Sequence, residues 1–102
     1  MASASDIALI NALREMYKAE KKEADLEYQA MRLQPEMNAA LARLEKEKVP
    51  LPSDLVTKSE ELAEKITQAA NERSSAQRKV DTEMRVHRAA YYKETAPVYW
   101  RH

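Results

Sequence analysis

The 102-residue chain carries 17 basic and 17 acidic residues, for a formal net charge of zero, and holds no glycine, cysteine or phenylalanine. The balance gives no global field to draw it to nucleic acid or an anionic membrane, and the missing types exclude glycine-built phosphate loops, disulfides and thiolate chemistry. What remains is rich in Ala, Leu, Met, Glu, Lys, Arg and Gln, the best helix formers, in one small domain at most.

The segment Met1-Ala2-Ser3-Ala4-Ser5-Asp6 sets no basic residue before an apolar block, and Ile7-Ala8-Leu9-Ile10 is too short for a secretory core. The expected location is therefore intracellular, in cytoplasm, an organelle or a larger particle. No apolar run approaches the ~20 residues that span a bilayer, so no membrane span is expected. Ser3 or Ser5 is placed to cap a first helix over about 5–48.

Along that helix, Leu9, Ala12, Met16, Ala19, Glu23, Leu26, Ala30, Leu33, Met37, Ala40 and Leu44 follow alternating steps of three and four, with Glu23 the one polar member. This is a coiled-coil seam five heptads long. Pro35 lies inside it and costs a helix interior ~3 kcal/mol. The seam keeps its register across the proline, which favours a kink over division into helices of about 5–33 and 35–48.

The stretch Val49-Pro50-Leu51-Pro52 cannot continue a helix and reads as a reversal. A second helix over about 53–95 should follow, capped by Ser53 or Asp54, or later by Thr57 with Glu60. Its seam is Leu55, Ser59, Leu62, Ile66, Ala69, Arg73, Ala76, Val80, Glu83, His87 and Ala90, more polar than the first. Folding one series onto the other about the prolines sets Leu44 by Leu55, Met37 by Leu62, Leu33 by Ile66, Ala30 by Ala69 and Ala19 by Val80. The predicted fold is all-α, an antiparallel two-helix hairpin. Glu23 and Arg73 fall one layer apart, within reach of an ion pair that fixes register; the alternative is a notch for a third chain.

Pro97 ends the second helix near Thr95, leaving a tail over 96–102. With Tyr91 and Tyr92 the tail holds four of the six aromatic residues, in the neighbourhood of Val98, Tyr99, Trp100 and Arg101. Trp, Tyr and Arg carry much of the energy at protein interfaces. A second apolar stripe on the first helix, Ile10, Leu13 and Tyr17, with Tyr28 and Met31 further along, also lies off the seam. The bland alternative is that Leu13 and Leu41 merely flank the seam and that the tail folds back on Ile7 and Ile10.

Catalytic machinery is not legible. His87 follows Glu83 by four residues on one face, half of a metal site with no second histidine; a structural Glu83 to His87 hydrogen bond is the better reading. No catalytic, cofactor or metal residue is assigned. The segment 73–101 is basic, but Asp81 interrupts the stripe of Arg78, Arg85 and Arg88, so a solvated face is favoured over nucleic-acid binding.

No motif in the chain singles out a family. The expected role is a non-catalytic structural or adaptor subunit. Its partners would be other protein subunits or a second copy of itself, bound through Ile10, Leu13, Tyr17, Tyr28, Met31, Tyr91, Tyr92 and the tail. A reversible coiled-coil regulator or chaperone-like protein is the runner-up, and a nucleic-acid-associated protein using 73–101 comes third.

Overall fold

A computed structural model of the chain describes residues 3–95, with side-chain surroundings for 3–90. Two helices make up the fold: α1, Ala4–Glu47, and α2, Ser53–Thr95, antiparallel and packed side by side as a hairpin. At ~1.5 Å per residue each is roughly 65 Å long.

The start of α1 is fixed locally. Ser3 holds an extended backbone and its hydroxyl accepts from the Asp6 amide at 3.2 Å, while the Ser3 amide donates to the Asp6 carboxylate at 3.0 Å. Each group satisfies an amide that the first helical turn would otherwise leave open. At the other end Lys48 adopts a left-handed conformation, φ 59° and ψ 27°, the position where helices favour glycine. With no glycine in the chain, a lysine takes the strained conformation there.

Between Lys48 and Ser53 the two prolines complete the reversal. The Pro52 carbonyl accepts from the Val56 amide at 3.1 Å, so α2 starts immediately after the second proline. Ser53 thus stands in the first turn instead of at the expected cap, and Asp54 lies there as an acid favoured by the helix dipole. The later start at Thr57 does not occur, because Pro52 already has the fixed backbone angle that suits helix entry.

α1 runs through Pro35 without a break. The expected alternative of two separate helices is overturned, and the reason is where the proline points. Pro35 is exposed, so the Met31 carbonyl that loses its amide partner can turn to water, while seam residues Leu33 and Met37 on either side stay half-buried.

Both seams are where periodicity puts them. Ala12, Met16, Ala40, Leu55, Ala69 and Val80 are buried, and every other seam position except Leu44 is half-buried. The pairing, however, is displaced by about one helical turn from the simple reflection. Leu55 lines a depression with Ala40 and not with Leu44, Val80 packs with Met16 and Ala12 instead of Ala19, and Arg73 pairs with Glu23 where the reflection set Leu26.

The displacement follows from an asymmetric turn. α2 begins only two residues before Leu55, whereas α1 continues for seven residues beyond Ala40. The last turns of α1 overshoot the end of α2, which is why Leu44 is left exposed. Alanines at buried layers on both helices allow the backbones to approach closely.

Candidate interaction surfaces

In a hairpin with one seam, the residues flanking the seam define two flat faces, and the residues opposite it define an outer face on each helix. The two flat faces differ in chemistry. On one, Lys22 Nζ lies 3.1 Å from Glu72 Oε2 and Lys79 Nζ lies 3.3 Å from Glu15 Oε2, linking α1 to α2. Gln29, Glu36 and Arg43 of α1, with Lys58 and Lys65 of α2, continue this face at seven-residue spacing. Exposed pairs of this kind contribute under ~1 kcal/mol each, but they keep the face charged and hydrated.

The opposite flat face has few charges. From α2 it receives Val56, Ala63, Ala70, Gln77 and Met84, and from α1 Leu13, Glu20, Glu27, Gln34 and Leu41. A shallow depression here is lined by Glu27, Met31 and Gln34 of α1 and by Leu62, Ala63 and Ile66 of α2. Leu13 is half-buried and packs on the cluster of Ala12, Met16 and Val80, so part of its surface belongs to the hairpin's own core.

On the outer face of α1 the apolar character continues. Starting at Ile7, alternating steps of three and four pass through Ile10, Tyr17, Ala24, Tyr28, Met31 and Pro35 to Ala42, interrupted by Arg14, Lys21 and Asn38. It is a second heptad series on the same helix, turned away from α2. Tyr17 and Met31 are each 59% exposed and Tyr28 56%. These large side chains therefore make little use of the hairpin's own core. The Arg32 guanidinium sits 5.9 Å from the Tyr28 ring centre, covering one face of that ring.

Two polar contacts cross the seam. Arg73 Nε donates to Glu23 Oε2 at 2.5 Å, with the Glu23 side chain mostly buried. The two polar interruptions of the seams thus answer each other directly, and no notch for a third chain is needed to explain them. Near the open end of the hairpin, His87 Nε2 lies 2.6 Å from Asp6 Oδ1. The expected partner was Glu83 on the same helix. The seam turns His87 toward α1, where Asp6 presents an oxygen that the capping box leaves free. The amide and hydroxyl of Ser3, in that order, and then His87 hold the Asp6 carboxyl below the usual aspartate range. Sequence reasoning missed this pair because the reflected register carried Asp6 past His87.

Of the sequence-assigned contact residues, Ile10, Tyr17, Tyr28 and Met31 stand together on the outer face of α1, with Leu13 at its inner edge. The side chains of Tyr91 and Tyr92, and the tail residues Val98, Tyr99, Trp100 and Arg101, lie outside the described residues. Arg78, Arg85 and Arg88 are exposed on α2. Among the described residues no group of three His, Cys, Asp or Glu side chains could hold a metal ion, and no helix is long and apolar enough to cross a membrane.

Comparison of the chain with protein-family models, with curated proteins and with solved structures gives no match.

Proposed function

We propose that the protein is a non-catalytic structural or adaptor subunit, which contributes its hairpin to a larger helical assembly and binds through the outer face of α1. The observation that carries this reading is the second heptad series, with Tyr17, Tyr28 and Met31 each more than half exposed. Large exposed apolar side chains repeating at coiled-coil spacing cost solubility unless another helix covers them.

The surface area supports the same reading. The chain exposes 8306 Å², whereas a compact monomer of this length would expose about 5,900 Å². Its radius of gyration is 22.9 Å, against about 13 Å for a compact domain of this length. An elongated two-helix hairpin with six buried residues among the described ones has little core against the ~1 to 2 kcal/mol of backbone entropy lost per ordered residue.

Two finer features belong to the proposal. Pro35 bends α1 so that the outer face curves around its partner, and the aromatic tail from Val98 to Arg101 supplies a further anchor. A reversible regulator remains the second reading, supported by the charged flat face, which would keep a free form hydrated.

The test is the size of the particle that carries the chain in extracts of the cells that make it, by native electrophoresis. The wild-type chain should migrate in a particle heavier than two copies, and Tyr17→Glu with Met31→Glu should release it. Migration of the wild type as a free chain or simple dimer would overturn the subunit reading.

A further inference from the structure

We propose that the outer face of α1 is covered by a second copy of this chain, α1 against α1 and antiparallel, about a two-fold axis level with Lys22 and Glu23. The inference rests on the reading that this face is a binding surface, and it names the occupant.

Between the two directions in which a second copy can lie, the charges within the outer series favour one, and that direction sets Lys18 of one flank near Asp25 of the second copy. The outer series is interrupted by two basic residues, Arg14 and Lys21, and bordered by Glu20 and Glu27 on one flank and by Lys18, Asp25 and Arg32 on the other. In a parallel pair each residue meets its own copy, so Arg14 stacks on Arg14 and Lys21 on Lys21, which is repulsive at a desolvated seam. Reversing one helix sets Lys21 level with Ala24 of the second copy, a small residue that leaves room for the lysine stem. Glu20 and Glu27 of that copy then lie within about one helical turn on either side. Arg14 falls level with Met31 of the second copy, again one turn from its Glu27. Tyr17 faces Tyr28, an aromatic pair in each half of the two-fold.

Size agrees. The contact runs from Ile7 to Asn38, roughly 48 Å of helix. The excess exposed area of the chain, roughly 2,400 Å² over a compact monomer, is larger than the ~800 Å² per partner that a standard stable interface buries. Interfaces of this sort are isologous, each copy offering the same patch. α1 of both copies then forms the inner pair and α2 the outer pair of a four-helix assembly.

Absence of native cysteine makes the direction directly measurable on the full chain. Two single variants, Tyr17→Cys and Tyr28→Cys, are purified and oxidised mildly with dissolved oxygen and copper, alone and mixed. The antiparallel pair predicts disulfide-linked dimer mainly in the mixture, because positions 17 of the two copies lie roughly 16 Å apart along the axis. A parallel pair would cross-link each variant with itself and would overturn the proposal.

Sedimentation equilibrium of the wild type supplies the second arm. A dimer whose dissociation constant rises more than tenfold in Tyr17→Glu with Met31→Glu is expected, with wild-type helicity recovered once the concentration exceeds the raised constant, because both residues are exposed in the single hairpin and are not part of its own core. A folded monomer at every concentration would overturn the second-copy inference, while a heavy particle in cell extracts would still leave the subunit reading standing. An antiparallel dimer that migrates alone in extracts would do the reverse.

Discussion

Single residues at the helix ends have effects out of proportion to their contacts. Ser3 anchors α1 through both halves of its capping box, so Ser3→Ala should cost about 1 kcal/mol of unfolding free energy, read by urea denaturation. Lys48 holds a left-handed backbone that a side chain disfavours. Lys48→Gly removes that strain, partly offset by the greater freedom of glycine in the unfolded chain, and should gain about 0.5 kcal/mol in the same assay. Asp6 brings a pH dependence with a defined sign. Its folded carboxyl titrates below the ordinary range, so its contribution is present above about pH 4 and is lost as pH falls through the lowered folded value. The melting temperature of Asp6→Asn should lie below that of the wild type at neutral pH, with the gap closing on acidification. A gap that stays constant from pH 7 to pH 2 would contradict the assignment.

At the scale of the helices, the elements were legible because a seven-residue period over 36 residues has few alternative readings, and the prolines at 50 and 52 admit one reversal. What a reflected pattern lacks is the shape of the turn. A left-handed Lys48 and an immediate restart at Ser53 spend their residues unequally on the two arms, and the whole register moves by about a turn. Leu44, whose partner was inferred only by that register, was therefore misassigned, and His87, given a partner on its own helix, reaches Asp6 of α1 instead. For Glu23 and Arg73 the shift removes the one-layer offset, and the two side chains pair directly. Their pairing should show a coupling of about 1 kcal/mol in a double-mutant cycle with alanine, and a coupling near zero would mean that the contact is incidental. The outer stripe was legible in its first members, Ile10, Leu13 and Tyr17. Its full length appeared only once α2 was placed on the other side of α1. Pro35 lies on that outer stripe within a continuous helix. Pro35→Ala should raise the stability of the hairpin by roughly 2 kcal/mol, the interior proline penalty less the entropy that proline saves in the unfolded chain.

For the whole molecule the governing fact is geometric. Two long helices touching along one alanine-rich line leave most of their surface in water, with large apolar side chains spaced along the outer face of α1 and cross-helix ion pairs along one flat face. On the proposed reading such a hairpin is a component whose outer α1 face is covered and whose charged flat face stays in water. The most direct test is the thermal unfolding midpoint of the full chain, followed by circular dichroism from submicromolar to several hundred micromolar. Low or incomplete helicity at the dilute end and a midpoint that climbs with concentration are expected, because association supplies the missing core. A sharp transition whose midpoint is the same at every concentration, in a sample that sediments as a monomer, would contradict that reading.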